Sequence, residues 1–177
     1  MTKLNKTVAL VGMMGAGKSS IGRRLAARLG TPFRDADSEI ESAAGCSISE
    51  IFERYGEAAF RDGERRVIAR LLSEPPHVLA TGGGAFMDPE TRERLREMAV
   101  SVWIKAPVEL LLQRVQRRDT RPLLRNGDPR ETLMRLLAQR EPIYAEADIT
   151  FESEDAPHHV AVERIILALE ARGVCEP

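Results

Sequence analysis

Residues 12–19, Gly12-Met13-Met14-Gly15-Ala16-Gly17-Lys18-Ser19, satisfy G-x-x-x-x-G-K-[ST] at every fixed position. That spacing serves the cradling of phosphate. Glycine lets the backbone take angles that other residues resist, and lets N–H groups approach phosphate oxygens closely. A helix opening near Lys18 aims the positive end of its dipole at the same anions. The Lys18 ammonium suits the β- and γ-phosphates, and the Ser19 hydroxyl suits Mg²⁺. A nucleoside triphosphate is therefore expected on Gly15, Ala16, Gly17, Lys18, Ser19 and Ser20, with Mg²⁺ as cofactor.

The loop by itself does not separate a kinase from a GTPase or a mechanical ATPase. No N-K-x-D-like element for guanine follows a later strand. The apolar segment Val78–Thr81 runs into Gly82-Gly83-Gly84 without the terminal acid of a mechanical ATPase. Transfer from ATP to a small acceptor is favoured. Asp35 and Asp37 stand at i and i+2 near the end of the segment Pro32–Asp37, read as a second strand. On one strand such side chains share a face, and ligands of an open parallel sheet collect outside the carboxyl ends of its strands. One acid would organise the water around Mg²⁺ and the other would take the proton of an acceptor hydroxyl. The competing reading makes Asp37 a helix N-cap beside a solvated acid. The three glycines open main-chain N–H groups and remove side-chain bulk beyond what a turn needs. Between Arg114 and Arg125 five arginines (114, 117, 118, 121, 125) face one acid, Asp119, a local net charge of +4. Planar guanidinium donors suit a transferring phosphoryl group, so the polar stretch 117–128 reads as a mobile cationic flap that closes on ATP and excludes water. Arg61 and Arg140, read in isolation, are surface helix residues.

Short apolar runs alternating with helical patterns must position these groups. Thr7–Val11, His77–Ala80, Val100–Ile104 and a weaker Asp148–Phe151 read as strands, and Lys18–Leu29 as a helix stopped by Gly30. Asp88-Pro89 and Asp128-Pro129 each place a capping side chain before a proline at the first helical position. Ser47-x-x-Glu50 is a capping box opening a helix that runs to about Leu72, with Gly56 and Gly63 as interruptions. The alternation implies parallel strands with right-handed crossovers, a single three-layer α/β domain over 1–177.

The 177 residues carry 26 Lys+Arg against 27 Asp+Glu, a net charge of −1. That balance argues against a nucleic-acid or membrane-surface binder, which needs a basic excess. A domain of this size buries roughly 70% of its unfolded surface and needs no metal or disulfide staple. Cys46 and Cys175 match no ligand spacing and read as unpartnered thiols of a reducing compartment. The early apolar run Val8–Val11 is too short for a signal peptide or a membrane span. A soluble, cytoplasmic protein is expected, and a monomer, since no sustained heptad appears.

Taken together, Gly12–Ser19, Asp35-Ala-Asp37, Ser47-Ile-Ser-Glu-Ile-Phe52, Gly56-Glu-x-x-Phe60-Arg61, Gly82-Gly-Gly-Ala85, Arg121-Pro-Leu-Leu124 and Arg140-Glu-Pro-Ile-Tyr144 resemble the shikimate kinase family in order and spacing across nearly the whole chain. The resemblance implies a P-loop fold with a five-stranded parallel sheet in the order 2-3-1-4-5. It also implies a lid at about 117–128 and a substrate-binding subdomain at about 37–71. The implied reaction is transfer of the ATP γ-phosphoryl group to the 3-hydroxyl of shikimate. By the same resemblance Arg61 and Arg140 grip the shikimate carboxylate, and the Gly82–Gly84 turn offers Gly83 to the substrate. Asp37 holds the reacting hydroxyl and Asp35 joins Ser19 at Mg²⁺. Arg121 reaches the phosphates from the lid, and Phe52 and Phe60 wall the ring. Lys18, Asp37 and Arg121 make up the implied catalytic set. Where some members set a basic residue against adenine, Asp155-Ala-Pro157 stands here, so Pro157 and Arg117 are expected to hold the base. A kinase for another polyhydroxy acid such as gluconate is the enzymatic alternative. A nucleotide-binding module without transfer is the alternative outside catalysis.

Overall fold

The computed structural model describes residues 3–117, 127–154 and 157–176. In chain order the elements are β1 (Lys3–Leu4), β2 (Thr7–Val11), α1 (Lys18–Leu29), β3 (Phe33–Asp35), α2 (Ala36–Ala44), α3 (Ile48–Leu72) and β4 (Val78–Ala80). A short 3₁₀ turn at Ala85–Met87 then leads to α4 (Pro89–Met98), β5 (Ala99–Lys105), α5 (Val108–Gln116), α6 (Pro129–Tyr144), β6 (Ile149–Glu152), α7 (His158–Ala171) and β7 (Cys175–Glu176).

Five strands make one sheet in the order β3-β4-β2-β5-β6, with every neighbour parallel. Counted from β2, this is 2-3-1-4-5. Strand β2 is buried at all five positions because helices cover both faces of a parallel sheet, which is why Thr7–Val11 reads as a continuous apolar run and not an alternating one. Pairing sets Leu10 opposite Ala80 on one side and Val102 on the other. The loops after β2 and β4 therefore emerge side by side at the carboxyl edge. Helix α1 closes with Gly30 at φ 60, whose N–H reaches the carbonyls of Ala26 and Ala27.

Three local outcomes differ from the sequence reading. The second strand stops at Asp35 and does not run on to Asp37. The Asp35 carboxylate accepts the Ser38 N–H at 3.2 Å and so starts α2, placing Asp37 in that helix's first turn. N-capping chemistry outcompetes strand continuation here, and the capping acid is Asp35, not Asp37. Gly63 does not interrupt α3, whereas Gly56 (φ 85, ψ 173) breaks it sharply. A second sheet pairs β1 with β7, bringing Lys3–Leu4 against Cys175–Glu176. These two-residue strands are too short to announce themselves by pattern. Cys46 and Cys175 are free thiols. Among the described residues no helix is long and apolar enough to cross a membrane.

Candidate active site

Loop residues between β2 and α1 wall a cavity of about 250 Å³ together with Asp35, Asp37, Gly82, Gly83, Arg114, Arg117 and His158. Gly15, Gly17, Lys18, Ser19 and Ser20 all reach it. Gly15 (φ 82) and Gly17 (φ 97) hold backbone angles that a side chain resists. The Lys18 ammonium donates to the carbonyls of Gly12 at 2.6 Å and Met13 at 2.9 Å, which arches the loop around it. Ser19 Oγ donates to Asp35 Oδ2 at 2.7 Å. Arg114 braces the loop from α5 by donating to the Gly15 carbonyl at 3.1 Å. Arg117 lines the cavity. Ala16 is buried and Pro157 caps the start of α7, so neither side chain is on the wall; His158, one residue on, is. Burial pushes the His158 imidazole below its usual value, with Arg24 and Arg114 adding to the effect. Arg121 and most of the stretch read as a lid lie outside the described residues.

A second cavity, of about 600 Å³, shares Ser19, Asp35, Asp37, Gly82 and Gly83 with the first. Asp37, Phe52, Phe60, Arg61, Gly82, Gly83, Gly84 and Arg140 converge on it from α2, α3, the β4 turn and α6. Phe52 and Phe60 meet at 4.8 Å between ring centroids, and the Arg61 guanidinium lies 5.1 Å from the Phe60 centroid. Arg61 is anchored by Glu64 at 3.0 Å and, more loosely, by the exposed Glu57 at 3.6 Å. Arg140 is not the surface residue it resembles in isolation. It is 7% exposed, touches Met13 Sδ at 3.8 Å, and has no carboxylate ion pair among the described residues.

The glycine turn is glycine for steric reasons. A Cβ at Gly82 would lie 2.9 Å from Asp37 Oδ1, one at Gly83 would lie 3.4 Å from Arg140 Nη1, and one at Gly84 would lie 2.5 Å from Arg61 Nη2. The bare Cα of Gly82 seats Asp37 and, at 3.1 Å, Glu64; that of Gly83 lies nearest the Met14 nitrogen, at 3.2 Å, with Arg140 beyond it; that of Gly84 seats Arg61.

Glu64 is a member of the site that sequence reading does not single out. It is 2% exposed, pairs with Arg61 through Oε1, and leaves Oε2 without a hydrogen-bond partner among the described residues. Burial raises its carboxyl above the usual range against the opposing pull of Arg61. Its i,i+3 spacing from Arg61 on α3 is the signal that could have found it. Arg23 also lines the cavity, 5.3 Å from the Phe33 centroid, and its i,i+4 spacing from Ser19 carried a similar hint.

A phosphate-loop motif after the central strand, its cavity sharing a wall with a second cavity that holds a buried arginine, defines a P-loop small-molecule kinase. The shikimate kinase family model matches residues 14–170. A shikimate kinase of Caulobacter vibrioides is 66% identical over 164 residues, covering 93% of this chain and 82% of its own. The shikimate kinase of Acinetobacter baumannii in complex with shikimate superposes with a TM-score of 0.92 at 41% identity, covering 94% of both chains. A gluconokinase of Sinorhizobium meliloti 1021 reaches a TM-score of 0.55 at 18% identity, a likeness of fold alone. The chain belongs to the shikimate kinase family.

Proposed function

We propose that this protein transfers the γ-phosphoryl group of ATP to the 3-hydroxyl of shikimate, giving shikimate 3-phosphate and ADP. The observation that carries the acceptor is Arg140. A buried guanidinium with no carboxylate partner among the described residues is costly unless a ligand supplies the counter-charge. Shikimate offers one carboxylate for Arg140 and Arg61, hydroxyls for Asp37 and the glycine turn, and a ring face for Phe52 and Phe60. Bidentate capture of the carboxylate fixes orientation, and orientation together with charge neutralisation is most of what phosphoryl transfer asks of a protein.

In this reading Asp37 receives the proton of the attacking hydroxyl, and Lys18 neutralises charge on the phosphates with an arginine of 117–128, Arg121 by resemblance. Arg117, Arg114 and His158 surround the base. The Ser19 hydroxyl and Asp35 carboxylate form an oxygen pair at the shared wall, the donor type that Mg²⁺ takes. Among the described residues no group of three or more His, Cys, Asp or Glu could form a closed protein cage. The fit is thus to an ion whose remaining ligands come from phosphate and water, and when bound it would polarise the phosphoryl oxygens. The substrate-binding segment is 37–71, within a single domain.

A coupled assay of ADP release, run with shikimate and with gluconate, tests the acceptor. Turnover with shikimate is expected, and turnover with gluconate alone would replace it. ATP binding without shikimate binding in calorimetry would instead point to the non-transferring module.

A further inference from the structure

Tyr144 touches neither cavity, yet it stands directly behind the acceptor wall. The residue is fully buried, and its hydroxyl donates to the Gly83 carbonyl. Arg140, one helical turn earlier on α6, faces the same turn, its Nη1 3.4 Å from where a Cβ on Gly83 would lie, and its charge acts on the phenol. The ring stacks on Trp103 at 5.7 Å between centroids, and Trp103 in turn packs where a Cβ on Gly12 would lie 3.3 Å away.

We propose that Tyr144 is a positioning residue for the acceptor: its hydroxyl fixes the Gly83–Gly84 peptide beside the Arg140 guanidinium, so that main-chain donors and carboxylate-binding arginine present one fixed surface. A peptide unit is planar, so holding the Gly83 carbonyl oxygen also sets the direction of the Gly84 N–H. Neither the Gly83 N–H nor the Gly84 N–H has a hydrogen-bond partner among the described residues, which leaves both for a ligand. Such a glycine turn has little of its own to resist rotation, because no side chain restrains it. The phenol remains a donor at any working pH, since burial pushes it up to about 12. A residue that merely filled space behind the turn would serve as well without its oxygen. Orientation of the substrate is the quantity at stake, because small misplacements of bound reactants cost rate steeply.

The proposal rests on the shikimate reading for its kinetic test and is independent of it for its structural one. Tyr144→Phe keeps the ring and its stack on Trp103 and removes only the oxygen. The KM for shikimate should rise roughly five- to thirtyfold, with the KM for ATP held within about twofold. Combined with Arg140→Lys, the two effects should fall well short of multiplying, because both act on one link. In ¹H–¹⁵N spectra the Gly83 and Gly84 amides should shift and exchange faster in the variant. In the wild-type protein the Tyr144 hydroxyl proton should exchange slowly enough to be seen, near the Gly84 amide. An unchanged Gly84 amide, a hydroxyl proton in fast exchange, multiplicative effects, or equal rises in both KM values would each overturn the proposal. Wild-type protein that fails to phosphorylate shikimate would refute the acceptor assignment instead, and the amide and hydroxyl signals would still decide the role of Tyr144.

Discussion

Gly84→Ala gives the acceptor site its most exacting test, because it changes one methyl group and should displace one named side chain. The backbone at Gly84 (φ −99, ψ −4) is open to any residue, so the substitution carries no conformational penalty of its own. The added Cβ would lie 2.5 Å from Arg61 Nη2, 2.6 Å from Nη1 and 2.7 Å from Cζ. For those contacts to become ordinary ones the guanidinium must retreat by about 1 Å. It is the far end of a flexible side chain, so it moves in preference to the turn, and its 3.0 Å bond to Glu64 is broken or bent. A misplacement of that size at a substrate-orienting group costs about a hundredfold in kcat/KM, or about 2.7 kcal/mol. Most of it should fall on the KM for shikimate, with the KM for ATP unchanged, because the phosphate loop lies beyond the contact. The assay is steady-state ADP release with each substrate varied in turn, beside a melting curve showing the fold intact. A variant with normal shikimate kinetics would refute the placement of Arg61 against Gly84 and its role in the acceptor cavity.

Four further outcomes follow from the same geometry. Arg140→Ala should weaken shikimate binding about ten- to a hundredfold in calorimetry while sparing ATP, with little loss of melting temperature, because the charge removed has no carboxylate partner among the described residues. Lys18→Ala should lower kcat about a thousandfold; it should also melt slightly earlier, since the ammonium bridges the Gly12 and Met13 carbonyls. Glu64 holds its proton more tightly folded than unfolded, so its contribution to stability is greatest at acid pH and declines as pH rises through and above the carboxylate range. Glu64→Gln should therefore melt higher than wild type at neutral pH, with a gap that closes on acidification, while the KM for shikimate rises as Arg61 loses its anchor. Gly56→Ala places a side chain at φ 85, ψ 173, where only steric freedom at the backbone is missing and no neighbour lies within 4 Å. It should cost about 1–3 kcal/mol and several degrees of melting temperature.

Asp35 and Asp37 show how far local pattern carries. Their convergence on one site was legible, because both stand two residues apart near the end of a segment read as a strand, at the carboxyl edge of the sheet. The element carrying Asp37 was not, because whether a strand continues or a helix is capped turns on a single hydrogen bond to the Ser38 N–H. Arg61 and Arg140 illustrate the same limit. Their burial depends on partners distant along the chain, and a helical pattern reports a face but not what covers it. The tripled glycine was conspicuous, but its cause lies in contacts with Asp37, Arg140 and Arg61 that span up to 57 positions of sequence.

The sequence by itself determined the phosphate loop, since eight contiguous residues contain both the conformational requirement and the charged groups that meet it. It determined the parallel sheet too, because strands buried on both faces must read as unbroken apolar runs. The tertiary structure alone decided that Glu64 is buried beside Arg61, that Tyr144 stands behind the Gly83 carbonyl, and that Arg140 is buried with no carboxylate to neutralise it among the described residues. Those facts depend on which surfaces meet when α3, α6 and the β4 turn pack together. Short-range spacing encodes a loop that closes on itself. It does not encode the desolvation of a charge, which is a property of everything packed around it.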